Sequence, residues 1–413
     1  MTDKKRRQKP KPGPSLPPED PILLSSGSSR QSSPNPWKRL MSVGYTIGTI
    51  AVLFSAYFYL FSQGLNSGLS GTAGLGATST PASATEIPTS APTPNNSSIL
   101  NTTGHIIFVS NIDGQTNLSM TNPEGSEQTQ LATINSEIYT PRVSPDGTKV
   151  AFASMESGNM DIYVLDIATY VIWQITSAPQ KDANPSWSAD GSKITFDSFR
   201  DGNFEIYITN PDGSDQIRLT YDPANDVSPI FSPVSNDIAF ISDRFGNSNI
   251  LLLNLENGIT SSLTTSNVPD FDHSWSPDGS MLAYKMADGS EGISNICIIG
   301  YQGLDQHCLN TPAEYGPPVW SPDGKYLAAT VSQTNGSGID VLNITTDEVT
   351  HLSNPEINPG GAPSWSPEGS YLVFQAQTPD GSTYLFTVLI PTNEFRRLTN
   401  SVSYEGEPVW MTK

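Results

Sequence analysis

One motif of the form P-x-W-S-P-D-G recurs along this chain, its anchor falling at Val143, Trp187, Phe231, Trp275, Trp320, Trp365 and Trp410. The intervals are 44, 44, 44, 45, 45 and 45 residues. A fixed period of roughly 20–50 residues is the mark of a repeat architecture, in which no single copy can bury its own apolar face and neighbours must stack. The tetrapeptide after the anchor reads SPDG at 144–147, 276–279 and 321–324, SADG at 188–191 and SPEG at 366–369, with SPVS at 232–235 the degenerate copy. Proline presets φ for a type I turn, the acid accepts a local backbone hydrogen bond, and glycine supplies the left-handed residue that closes a bulged hairpin.

Each turn is followed by a strand-like alternation, as in Val150 and Phe152, Ile194 and Phe196, or Ile238 and Phe240. A second loop follows (154–159, 198–203, 242–247), then a third strand (162–165, 206–208, 250–253), and a fourth strand ends in Q-I-T or R-L-T. Four short strands per 44 to 45 residues describe one blade of a β-propeller. Six repeats are complete. Residues 105–135 supply strands two to four of another, and 407–410 supply a lone first strand. The expectation is an all-β, seven-bladed propeller (six the alternative) whose last blade is stitched from both chain ends, leaving no open edge.

The run W-S-P-D-G-x-x-I-A-F, then S-D-R-x-G-N, I-Y and R-L-T resembles the TolB-type, WD40-like (PD40) β-propeller repeat, also seen in prolyl oligopeptidases and dipeptidyl peptidases. The resemblance covers residues 103–413. It implies the fold strongly and the function weakly, because one propeller serves many tasks. TolB carries six blades and a small mixed domain ahead of them, so its particular partners do not carry over to this chain.

Residues 41–61 are 21 residues without a formal charge, and at about 1.5 Å per residue they match a hydrocarbon core of about 30 Å. Every Lys or Arg near them lies on the amino side, so the positive-inside rule places 1–40 in the cytoplasm and the body outside a cell membrane. A cleaved signal peptide is the alternative reading, with 82–84 as the nearest A-x-A match. Residues 62–104 hold a single charge, Glu86, in Gly, Ser, Thr, Ala and Pro, the composition of a stalk. The expected organisation is a basic tail (1–40), a transmembrane helix (41–61), a disordered stalk (62–104) and a propeller (105–413).

The net charge of −20 hides a split, since residues 103–413 carry twelve basic against thirty-seven acidic side chains. So acidic a body is not expected to bind nucleic acid through its phosphates. No G-x-S-x-G elbow, H-E-x-x-H pair or phosphate loop occurs, and His105, His273, His307 and His351 fall at non-equivalent repeat positions.

The remaining chemistry is acidic. Five residues before the anchor stand Asp182, Asp226, Asp270 and Glu405, with Asp272 and Glu407 close by. If the anchor strand is innermost, these carboxylates ring one channel mouth and favour a cation such as calcium, or a positively charged partner. The competing reading makes each one a cap of its own loop or a tie between blades. The anchor tryptophans read as packing between blades. Cys297 and Cys308 flank a turn near 302–303; a four-residue loop (301–304) puts them on one face as a disulfide, and a three-residue loop puts them on opposite faces. The expected function is a membrane-tethered extracytoplasmic module that binds a protein, peptide or envelope glycan without a cofactor. The alternative is an envelope hydrolase or lyase using channel-lining carboxylates.

Overall fold

The computed structural model describes residues 103–411 apart from 113, 334, 335 and 401–403. The tail, the apolar stretch 41–61 and the stalk up to residue 102 lie outside the described residues. Among the described residues no helix is long and apolar enough to cross a membrane. Twenty-eight strands and one short 3-10 turn make up the regular structure.

Strand pairing sorts these strands into antiparallel groups of four. We number them unit 1 (138–174), unit 2 (182–218), unit 3 (226–262), unit 4 (270–315), unit 5 (319–352), unit 6 (358–397) and unit 7 (404–411 with 105–134). Units 4 and 5 are joined where Glu314 and Tyr315 pair with Ser332 and Val331. Units 6 and 7 touch through one parallel bridge, Thr383 to Tyr404. In unit 7 the strand Tyr404–Met411 pairs along its length with His105–Ile112, from His105 opposite Met411 to Asn111 opposite Tyr404. The two ends of the described chain are thus neighbours in one sheet.

Every apolar cluster lies between two units rather than inside one. Ala151, Ile162 and Val164 of unit 1 pack with Trp187, Ile194 and Phe196 of unit 2, and Ile107, Val109 and Leu118 of unit 7 pack with Val150 and Phe152 of unit 1. The second and third strands are consequently buried on both faces, as in Lys149–Ser154, where only the first residue is partly exposed. Fully burying a Phe, Leu or Ile side chain stabilises by about 1.5–3 kcal/mol, so stability resides in the seams. The anchor tryptophans close those seams. The indole Nε1 of Trp187, Trp275, Trp320 and Trp365 donates to the carbonyl just before the preceding anchor, at Arg142, Ile230, Ser274 and Val319, over 2.9–3.2 Å.

The S-P-D-G turns work as small hydrogen-bonded clasps. In unit 1 the buried Ser144 hydroxyl donates to Asp146 at 2.6 Å and accepts from the Lys149 amide at 2.9 Å, while Gly147 takes φ 72°. The Ser144 hydroxyl and the Thr148 amide hold the Asp146 carboxyl down to about 2. Strand direction places these turns, and both described chain ends, on one face. The second loops and the connections between units lie on the opposite, loop face.

Cys297 and Cys308 stand directly opposite each other, and their sulfurs are bonded. The register is that of the four-residue loop. The same cross-strand position holds Tyr207 with Arg218 in unit 2 and Asp340 with His351 in unit 5. Opening the 11-residue separation with Cys297→Ser and Cys308→Ser together is expected to cost about 2–3 kcal/mol by loop-closure entropy. The check is a lowered urea midpoint with an unchanged slope.

Candidate functional site

The carboxylates five residues before the anchors do not open onto the loop face. Asp182, Asp226 and Asp270 are 0% exposed and Glu405 is 1% exposed. Two of them are held by an arginine from the second loop of their own unit. Arg200 donates through Nη2 to Asp182 at 2.9 Å and through Nε to Ser198 at 2.7 Å. Arg244 repeats the arrangement on both oxygens of Asp226, at 2.9 and 3.0 Å, and on Ser242. Unit 4 has Asp288 where that arginine would stand; there Asp270 accepts from Ser266 at 2.9 Å and Asn249 at 3.4 Å, both of unit 3. Burial pushes the Asp226 and Asp270 carboxyls up, and these hydrogen bonds oppose the rise.

The expected ring of open carboxylates is therefore corrected at these four positions. All four face inward, and Asp182, Asp226 and Asp270 act as ties within and between units, because an uncompensated charge there would be too costly to bury. Among the described residues no three His, Cys, Asp or Glu side chains gather to hold a metal ion, so the calcium expectation finds no donor set there.

A different ring replaces it. Six of the seven first strands slip register just before the anchor, as between Ala183 and Ser186 or Phe271 and Ser274. The residue three before the anchor takes a left-handed conformation in five units: Thr140 (φ 48°), Asn184 (54°), Ser228 (54°), Asp272 (53°) and Glu407 (52°). A non-glycine residue at positive φ is uncommon, and a β-branched threonine there is strained. The slip is a bulge, which re-aims a side chain out of the pleat, and all five are partly or fully exposed. First strands pack together at the seams between units 7 and 1, 1 and 2, and 2 and 3, so the side chains of those units converge.

Their partners are polar. Asn184 donates to Asp197 at 2.7 Å, and the Ser228 amide donates to the same carboxylate at 2.8 Å. Lys285 lies 2.7 Å from Asp272 and also donates to the Tyr315 carbonyl. The Thr140 hydroxyl has no hydrogen-bond partner. Glu407 is accessible to water yet densely surrounded by protein, the situation of a group on a channel wall; that crowding raises its carboxyl pKa and the Arg142 guanidinium opposes the rise. Units 5 and 6 contribute no comparable group. A Cβ on Gly316 would meet the Thr330 hydroxyl at 2.2 Å and the Gly361 carbonyl at 2.9 Å. The accessible polar wall thus belongs to units 7 and 2 to 4.

The PD40 family, the TolB beta propeller domain, matches residues 97–311. This chain belongs to that family. A TolB homolog of Chlorobaculum tepidum is 39% identical over 64 residues, which is 16% of this chain and 15% of that protein. The matched stretch is thus a small part of the curated relative's length. Among solved structures, TolB from Acinetobacter baumannii superimposes with a TM-score of 0.50 at 22% identity, over 74% of this chain and 66% of that one. An oligogalacturonate lyase in complex with manganese gives 0.59 at 15% identity, over 70% and 86%. At these identities the TolB-like neighbours establish the propeller fold alone, and they include both a TolB and an enzyme.

Proposed function

We propose that this chain is a non-catalytic binding module, a seven-bladed PD40 propeller latched by its own ends, which offers its loop face to a protein partner. The apolar run at 41–61 and the basic residues before it support tethering to a membrane, with the propeller on the outer side. The observation that carries the reading is the polar wall of Asn184, Ser228, Asp272 and Glu407, built at one repeat position at the expense of backbone strain. The acids that an enzyme would draw on, Asp182 and Asp226, are instead locked to arginine. The surplus of acidic side chains over residues 103–413 favours a partner segment with positive charge.

The test is crosslinking capture from membranes with the full-length chain as bait. Asn184→Ala, Ser228→Ala and Glu407→Gln together are expected to weaken capture roughly tenfold, since each lost hydrogen bond contributes about 0.5–1.5 kcal/mol. Asp226→Asn should lower the melting temperature without changing which partner is captured. Unchanged capture by the triple variant would refute the loop-face site.

A further inference from the structure

On the turn face, units 1 to 3 enclose a hollow where the repeat departs from its own pattern. Val143 and Phe231 stand where the other five units carry tryptophan, and Ala189 replaces the turn proline. Elsewhere the indole spans the seam to the preceding unit; valine leaves the seam to unit 7 without that ring, and phenylalanine has no N–H to give to unit 2. A concavity of about 290 Å³ is lined by Arg142, Val143, Pro145, Ser186, Trp187 and Phe231 among others.

Its one charge is Arg142. The residue just before the anchor is otherwise Ser186, Ile230, Ser274, Val319, Ser364 or Val409, none of them charged. Arg142 is an exposed residue, its guanidinium partly desolvated by the surrounding protein, and it donates through Nη1 to its neighbour's carbonyl at Pro141, over 3.2 Å. Among the described residues no carboxylate oxygen comes within 4.0 Å of it, in a protein where Arg200, Arg218 and Arg244 are all ion-paired. A guanidinium is a planar fork that matches a carboxylate through two parallel hydrogen bonds. Beside it the walls are aliphatic and aromatic. The strongly acidic body repels multiply charged anions at long range, which leaves a single negative charge as the best match.

We propose that this hollow binds a small monocarboxylate with an apolar or aromatic body. Arg142 holds the carboxylate, and Val143, Trp187 and Phe231 cover the body. The hollow opens on the turn face, and its Arg142 also interacts electrostatically with Glu407 of the polar wall.

The probes are 3-phenylpropionate and its uncharged amide, titrated into the full-length chain by calorimetry, with the Trp187 indole N–H resonance as the local reporter. The acid is expected to bind about tenfold tighter than the amide, the scale of one hydrogen bond to a charged group. Arg142→Gln, a change at an exposed side chain, should erase that preference. Phe231→Trp, whose indole would reach the Ser186 carbonyl in the hollow as the repeat's other indoles reach theirs, should abolish binding of both probes while the melting temperature holds or rises. Equal affinity for acid and amide, an unmoved Trp187 resonance, or wild-type binding by Phe231→Trp would each overturn the proposal.

Discussion

Removing residues 407–413 is expected to unfold the described body as a whole, with loss of the cooperative melt rather than a modest shift. The strand Tyr404–Met411 contributes Trp410 and Met411, 8% and 4% exposed, to two different seams. It also satisfies one edge of His105–Ile112, where Ile106, Ile107 and Phe108 are at most 1% exposed. Losing one buried aromatic costs about 3–5 kcal/mol. The deletion removes that, a second seam residue and a ladder of backbone hydrogen bonds, against a total stability of about 5–15 kcal/mol for a typical domain. Circular dichroism and thermal melting of the truncated chain decide the matter. A truncated protein that melts at the wild-type temperature would show that the end-to-end pairing does not hold the body together.

Acid sensitivity should be concentrated in one seam, at His273. Six repeats place proline two residues before the anchor, at Pro141, Pro185, Pro229, Pro318, Pro363 and Pro408, and unit 4 alone places histidine there. His273 is 5% exposed, its ring bonds the backbone of Ala239 in unit 3, and its Nε2 has no partner. Burial holds the ring pKa down to about 4. An unfolded histidine protonates near 6.5, so the unfolded chain takes up the proton first as pH falls. The contribution of the neutral ring is therefore complete above about pH 6.5 and is lost progressively down to pH 4, by about 3 kcal/mol. Asp226 and Asp270 work the other way, because their raised carboxyls take up protons more readily when folded. Comparison with His273→Pro isolates the ring. Urea midpoints at pH 7 and pH 4 should draw together in the variant relative to wild type. An equal acid shift in both proteins would place the sensitivity elsewhere.

The anchor spacing carries most of the fold in the sequence, because Trp, Ser and Gly each answer a demand that every copy makes. The indole bridges a seam, the serine clasps a turn and the glycine takes a left-handed φ. The polar wall was not legible in the same way. Thr140, Asn184, Ser228, Asp272 and Glu407 share a backbone conformation and no side-chain type, and that conformation accompanies a register slip within their own strand. The buried acids did leave a signal that single-position reading passes over. Asp182 and Asp226 each occur in a unit whose second loop carries S-x-R, at 198–200 and 242–244. Acid and base vary together between copies, the pattern expected of an internal pair. The disulfide turned on a one-residue choice of loop length, which composition does not fix.

The way the chain enters the body also determines how it bears force. Thr103 is clasped by the Trp410 indole at 3.1 Å, and the chain then runs directly into His105–Ile112. That strand is flanked lengthwise by Tyr404–Met411 on one side and Gln115–Thr121 on the other. Inter-strand hydrogen bonds lie across the strands, so tension applied through residue 102, directed away from the turn face, loads both ladders in shear. The bonds then resist together instead of peeling one at a time. Tension entering there would be borne by the most extensively paired strand of unit 7, so the latch yields only when two ladders give way together.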